Sequence, residues 1–284
     1  MPTLNDVYLE LRKYLKKALI EQPEFEAREI LRVLVGKDVS SFMRDIHQYV
    51  EDRTAAKALS LAQKREHGMP LAYVLGQWDF HGLTLEVTPD VLIPRPDTEV
   101  LADLAISTLR EHAPDGRFLD LCCGSGCVGL AVASELPELK VVLADTSVKA
   151  LEVARRNARE LHNIIIITEA CAKQPPSPAL GEFNVIAANP PYVSDDEYMA
   201  LEPSVREHEP ELALRGGADG LDVIRAIAEH WYFALRPGGY MMLETGYNQA
   251  RQTAQILQNS GYAEVSAHRD LQDYERVVVA RRPA

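Results

Sequence analysis

The tetrapeptide Asn189-Pro190-Pro191-Tyr192 follows directly on the apolar run Val185 to Ala188. Two successive prolines lock φ and lack N–H donors, so such a loop is stiff and turns its carbonyls outward. That arrangement suits a planar NH2 group. The Asn189 side-chain oxygen and the Pro190 carbonyl could each accept one N–H, while Pro191 stiffens the loop and the Tyr192 ring packs against a flat substrate. An amide or aromatic amine is a poor nucleophile because its lone pair is delocalised. Acceptors that tighten as the nitrogen pyramidalises and gains positive charge therefore favour the transition state over the ground state. The bland alternative is a proline-stiffened turn at the end of a strand.

A second stretch, Asp120-Leu121-Cys122-Cys123-Gly124-Ser125-Gly126, closes an apolar strand and opens a helix. Glycines in such a turn let the backbone approach a ligand closely and leave free N–H groups beside it. The spacing is neither G-x-G-x-x-G nor G-x-x-x-x-G-K-[ST], so both nucleotide-phosphate fingerprints fail. The next apolar strand ends at Asp145, about twenty residues on, where a carboxylate can accept both ribose hydroxyls of an adenosine. Ribose without pyrophosphate points to S-adenosylmethionine as cofactor. The alternative for the pair is a tight strand-to-helix turn with a capping Asp.

The elements that must hold these groups follow from hydrophobic periodicity. Apolar residues recur at helical spacing from Leu4 to about Gly68, which predicts a small helical bundle. Trp78, Phe80, Leu83, Leu85 and Val87 alternate around His81-Gly82 as in a β-hairpin, which the Ile93 to Pro96 segment ends. Three parts are therefore expected: a helical domain over 1–75, a hairpin linker over 76–96 and an α/β domain over 97–284. In the last, a helix from Thr98 to His112 precedes strands at Arg117 to Cys123, Lys140 to Asp145, Ile164 to Thr168 and Val185 to Asn189. Helices are expected between the earlier of them, at Val128 to Glu135 and over LEVARRNARELH. Such alternation means βαβ units and a mostly parallel, Rossmann-like α/β sheet. The short link between AEVSAHRD and RVVVARR forces an antiparallel pair at the end.

Composition narrows the function classes. The 284 residues are 46% hydrophobic, enough for a core without disulfide or metal staples. A net charge of −12 repels a phosphate backbone, so direct nucleic-acid binding is not expected. Four cysteines, three of them within Cys122 to Cys127, suit a reduced cytoplasmic setting better than a secreted framework. The N-terminal segment is amphipathic and charged, and no stretch approaches the roughly 18 apolar residues of a membrane span.

Together, the Asp120 to Gly126 turn, Asp145 and the Asn-Pro-Pro-Tyr loop resemble the class I S-adenosylmethionine-dependent methyltransferases that act on planar NH2 groups. The flanks narrow the resemblance. GMPLAYVLGQWDF (Gly68 to Phe80), VLIPRPDTE (Val91 to Glu99), EPELALRGGADGLDVIR (Glu209 to Arg225) and PGGYMMLETGYNQ together are similar to the release factor glutamine N5-methyltransferases, essentially from end to end. That family methylates the Gln of the GGQ loop in class 1 peptide chain release factors and has a seven-strand methyltransferase sheet with a reversed last strand. The resemblance assigns substrate recognition to the helical domain, 1–75, and methyl transfer to the α/β domain, 97–284, and it implies catalytic roles for Asn189, Pro190, Pro191 and Tyr192. It implies cofactor contacts from Asp120, Cys122, Cys123, Gly124, Ser125, Gly126, Asp145 and Asn189, with Cys171 where the family commonly has an adenine-binding Asp. Cys122-Cys123 stands where a small Gly-Thr pair is usual, and Glu169 is an alternative adenine contact. A ribosomal-protein glutamine methyltransferase and a DNA or RNA adenine N6-methyltransferase remain the competing readings, as does a non-catalytic adenosine-binding module.

Other residues carry blander expectations. The Cys122, Cys123 and Cys127 run lacks a second ligand cluster and reads as packing rather than metal binding. Arg155, Arg156 and Arg159 read as a solvated helix face, and His208 as no more than a conceivable base. Thr98 and Glu99 could cap the first catalytic helix or order the site. Glu244, at the end of an interior strand, could be structural or functional.

Overall fold

The computed structural model describes residues 1–161 and 163–284. His162, the last residue of the expected LEVARRNARELH helix, lies outside the described residues. The chain divides into two units. One comprises Met1–Gln77 with Pro203–His208; the other comprises Trp78–Glu202 with Glu209–Ala284.

The first unit is built from α1 (Leu4–Lys17), α2 (Pro23–Leu34), α3 (Val39–Arg44), α4 (Asp52–Glu66) and α5 (Leu71–Leu75). A capping box starts α1: Thr3 Oγ1 accepts from Asp6 N at 3.1 Å, and Asp6 Oδ2 accepts from Thr3 N at 2.9 Å. Leu4, Val7, Leu11 and Leu15 fall on one face of α1 and are all buried, packing the helix on α2 and α4. The buried Glu26 carboxylate accepts from Arg65 Nε at 2.8 Å, which ties α2 to the end of α4.

The second unit opens with β1 (Gln77–Phe80), whose first residue falls in the first unit, and β2 (Leu83–Glu86). Both turn residues between them, His81 (φ 48) and Gly82 (φ 77), are left-handed, as a two-residue hairpin loop requires. The chain continues through α6 (Glu99–His112), β3 (Arg117–Leu121), α7 (Cys127–Glu135), β4 (Lys140–Asp145), α8 (Val148–Asn157), β5 (Ile165–Glu169) and β6 (Phe183–Ala188). A short pair, β7 (Val193–Ser194) and β8 (Arg215–Gly217), brackets in sequence α9 (Asp195–Ala200), α10 (Pro203–Arg206), which belongs to the first unit, and α11 (Glu211–Leu214). The last elements are α12 (Asp222–His230), β9 (Leu235–Glu244), α13 (Ala250–Asn259), β10 (Ala263–Arg269) and β11 (Glu275–Arg281).

Seven strands form one sheet in the order β10-β11-β9-β6-β3-β4-β5. β9, β6, β3, β4 and β5 are parallel neighbours, and β11 runs antiparallel to both β9 and β10. The reversed last strand and the Rossmann-like α/β sheet are thus present. Both faces of the central strands are covered, which explains their near-continuous apolar sequence. Phe118, Val141 and Val185 face a core shared with α6, α7 and α8, while Leu119, Val142 and Ile186 face one shared with α12 and α13. Strand bounds shift by a residue or two from expectation; β6 begins at Phe183 and β5 ends at Glu169. The β7–β8 pair was not foreseen, because two or three residues carry no periodicity. No helix among the described residues is long and apolar enough to cross a membrane.

Candidate active site

In a parallel sheet the strands end together, and loops leaving that edge converge. Here the ends of β3, β4 and β6 open into one cavity of about 260 Å³. Asp120, Cys122, Cys123, Gly124, Ser125, Asp145, Cys171, Asn189 and Pro191 all line it.

The turn after β3 is left-handed at every second residue: Cys122 (φ 61), Gly124 (φ 55) and Gly126 (φ 84). For Cys122 this conformation costs about 1–2 kcal/mol, whereas glycine adopts it freely. Nothing lies within 4 Å of the missing Cβ of Gly124, so its backbone is open to a ligand. Gly126 does not line the cavity; the position of its missing Cβ is 3.1 Å from Leu143 and 3.2 Å from Leu130, so its work is the turn itself. Asp120 Oδ2 accepts from Gly129 N at 2.8 Å, in the first turn of α7, so this carboxylate caps a helix as well as facing the cavity. Burial pushes its pKa up to about 7.

Asp145 ties two strand ends together. Its Oδ2 accepts from Gly124 N at 2.9 Å and its Oδ1 from Ser147 N at 2.8 Å, while burial raises its pKa. Each carboxylate oxygen retains a further lone pair. Ser125 Oγ is buried in the cavity wall and closes no well-formed hydrogen bond among the described residues. These free acceptors, the open glycine and the buried hydroxyl fit a ribose-bearing cofactor with a positively charged sulfonium. The thiols of Cys122, Cys123 and Cys127 are all raised by burial, so they are neutral packing groups.

The Asn-Pro-Pro-Tyr loop is held from several sides. Asn189 Nδ2 donates to Thr98 Oγ1 at 3.1 Å, and the side-chain oxygen Oδ1 has no hydrogen-bond partner among the described residues. Pro190 is buried, and neither it nor Tyr192 lines the cavity. The Tyr192 hydroxyl donates to Glu244 Oε1 at 3.4 Å, and burial raises its pKa. Gln249 Nε2 donates to Tyr192 O at 2.9 Å while Gln249 Oε1 accepts from Gly246 N at 2.9 Å. Glycines of the Arg215 to Leu221 segment press on the same backbone: a Cβ on Gly216 would sit 2.7 Å from Pro191 O, and one on Gly220 would sit 2.2 Å from Tyr192 O.

Thr98 makes no side-chain cap at the start of α6; its hydroxyl serves Asn189 instead. Glu99 accepts from His81 N at 2.9 Å, joining the helix to the hairpin turn. Glu244 is buried and pushed up to about 7 by desolvation, against the lowering pull of Thr98, Arg276 and Tyr192. Several supporting residues escaped the sequence reading. Glu209 accepts from Ile93 N at 3.2 Å and pairs with Arg95, so the two Pro-containing flanks hold each other at the cavity mouth. Asn157 donates to both Glu86 O and Ser125 O at 3.0 Å, pinning the hairpin to the glycine turn. Arg156, expected to be solvated, pairs with Glu86 at 2.9 Å. Arg95 and Glu209 fall within the flanking motifs, but nothing in the sequence pattern signalled Asn157.

The family model Methyltransferase small domain matches residues 98–218, and the PrmC N-terminal domain matches residues 6–76. A release factor glutamine methyltransferase of Geobacter sulfurreducens is 34% identical over 281 residues, spanning 98% of this chain and 96% of its own. Another from Caulobacter vibrioides is 35% identical over 280 residues, again spanning 98% of this chain and 96% of its own. The crystal structure of a methyltransferase from Pyrococcus furiosus, 16% identical, matches 82% of this chain and 100% of its own with a TM-score of 0.53, a likeness of fold. Because the likeness to these relatives runs through the helical unit as well as the strand ends around the cavity, the chain belongs to the release factor glutamine methyltransferase family.

Proposed function

We propose that this protein transfers a methyl group from S-adenosylmethionine to the side-chain N5 of the glutamine in the GGQ motif of class 1 peptide chain release factors. The observation that carries the reading is the orientation of Asn189: its amide nitrogen is engaged by Thr98, and its oxygen is left to accept from a substrate NH2. The carbonyl between Pro190 and Pro191 is the second acceptor, and Tyr192, held outside the cavity through Glu244 and Gln249, anchors the loop instead of packing on the amide as its sequence suggested. The cofactor supplies an electrophilic methyl on a sulfonium. The amide nitrogen lone pair forms the N–C bond as the S–C bond breaks, and the nitrogen then loses a proton to water.

Asp145 is the ribose acceptor in this reading, the Gly124–Ser125 backbone supports the amino-acid moiety, and Cys171 lies at the adenine end. The helical unit, 1–75, holds the body of the release factor. The four free cysteines suit the reducing cytoplasm, where translation terminates.

The test is transfer of labelled methyl to purified release factor, to its GGQ variant with the glutamine replaced, to ribosomal protein and to duplex DNA in parallel. Label in the release factor alone, lost with the GGQ glutamine, is the expected result. Label in the ribosomal protein or the DNA instead would replace this reading with a competing one.

A further inference from the structure

A hydroxyl between two polar partners carries one proton and accepts with its lone pairs, so its neighbours decide which way it points. Thr98, 1% exposed, stands between Asn189 and Glu244. An Asn side chain has two orientations that differ only in exchanging oxygen for nitrogen, and its surroundings select one. For Asn189 the choice is decisive. With Oδ1 toward the cavity it accepts from a substrate NH2; with Nδ2 there, two donors face each other and binding is repulsive.

We propose that Thr98 and Glu244 are positioning residues that fix the polarity of the Asn189 amide. The inference rests on the reading of Asn189 as the acceptor for the substrate NH2. The Thr98 hydroxyl lies beside the Glu244 carboxyl and favours its charged form, although Glu244 Oε2 closes no well-aligned hydrogen bond and is buried. A carboxylate is the stronger claimant on that proton, since bonds to a charged acceptor are roughly twice as strong as neutral ones. With its proton drawn toward Glu244, Thr98 can only accept from Asn189, and Nδ2 is held at 3.1 Å. Oδ1 is left for the cavity.

The arrangement depends on the charge of Glu244. The groups around it are the hydroxyls of Thr98 and Tyr192, the Arg276 guanidinium, the Asp97 carboxyl and the Cys127 thiol. Arg276 is itself shared with Asp97 and Asp270, each at 3.1 Å, so it only partly offsets the burial of Glu244. Burial holds the carboxyl at about 7, so it gains a proton as pH falls through neutrality. A protonated Glu244 can donate to Thr98, which turns the hydroxyl toward Asn189 and favours the reversed amide.

The experiment measures kcat for release-factor methylation and, separately, cofactor Kd by calorimetry, for wild type and for Thr98→Ser, Thr98→Val and Glu244→Gln. Thr98→Ser keeps the hydroxyl and should stay within about threefold of wild-type kcat. Thr98→Val leaves Nδ2 without a partner unless the amide reverses, so kcat should fall on the order of tenfold or more with cofactor Kd unchanged. Glu244→Gln should flatten the acid side of the kcat–pH profile, because its carboxamide does not titrate. Wild-type kcat in Thr98→Val, equal falls in the Ser and Val variants, or a loss of cofactor affinity matching the loss of kcat would overturn the proposal. An unchanged acid limb in Glu244→Gln would overturn it as well. A wild-type protein that leaves release factor unlabelled refutes the proposed function instead, and the same variants are then compared on whichever substrate of the parallel panel it does label.

Discussion

Replacing Asp145 by Asn should be as damaging as replacing it by Ala, although Asn keeps the shape. Oδ2 already accepts from Gly124 N at 2.9 Å and Oδ1 from Ser147 N at 2.8 Å. Whichever way the substituted carboxamide turned, its NH2 would face one of those amides, donor against donor. A bond to a charged acceptor is worth about 1.5–3 kcal/mol, and leaving one such amide unpaired forfeits about that much. On the cofactor side, Asn offers one acceptor oxygen where the carboxylate offers two to the ribose hydroxyls. A loss of about 3 kcal/mol in binding corresponds to roughly a hundredfold rise in Kd. Calorimetric titration with S-adenosylmethionine, on wild type, Asp145→Asn and Asp145→Ala, reads this directly. An Asp145→Asn affinity within threefold of wild type would refute the ribose assignment. An Asn variant that bound clearly better than the Ala variant would refute the donor-clash argument alone.

Asn189→Ala removes one of two acceptors that strengthen in the transition state, so single-turnover rates should drop on the order of a hundredfold while cofactor Kd changes little; near-normal turnover would mean that the loop does not carry the methyl transfer. Asn189→Asp, which keeps an acceptor and adds a charge, should bind cofactor at least as tightly and lose much less rate in the same assay. Gly220→Ala would place a Cβ 2.2 Å from Tyr192 O and 2.5 Å from Gln249 Nε2 at φ +76, so the melting temperature should fall on the order of 5 °C or more; an unchanged melt would show that the clamp on the loop is slack. Glu244→Gln should raise the melting temperature relative to wild type, and by more at pH 8.5 than at pH 5. The folded carboxyl holds its proton up to about 7 against an ordinary value of 4.5, so wild-type stability falls as pH rises across that window, and the neutral variant is spared. A difference in melting temperature that did not grow with pH would contradict the buried-charge account.

Much of this architecture was readable from residue patterns. Parallel strands buried on both faces produce apolar runs such as Val141 to Ala144, and the alternation of the earlier strands with helices marks a mostly parallel sheet. The glycine turn, Asp145 and the Asn-Pro-Pro-Tyr loop were legible as a group because each closes one of those strands. What escaped were contacts made across long separations by side chains with strong local readings. Thr98 sits where a helix N-cap belongs, yet its hydroxyl goes to Asn189, 91 positions away. Gln249 is an unremarkable polar residue ahead of α13 until its amide is seen bridging Gly246 and Tyr192. For Asp120 the two readings, ligand contact and helix cap, were set against each other, and the structure shows that one carboxylate lines the cavity while capping α7 through Gly129.

The place of β11 has a consequence for how the chain folds. It follows every other strand in the sequence, yet it lies inside the sheet, between β9 and β10. Until it inserts, β9 presents an unpaired edge bearing Met241, Met242 and Leu243, apolar residues that end up fully buried. Such an edge is a template for pairing with another chain. Once β11 is in place, the exposed border of that half is β10, which carries Glu264, His268 and Arg269 and has two register irregularities. Charges and bulges are what keep an edge strand from recruiting partners. On this side of the sheet the aggregation hazard is therefore confined to the interval between emergence of β9 and capture of β11. Refolding yield should depend steeply on chain concentration during that interval and hardly at all afterwards.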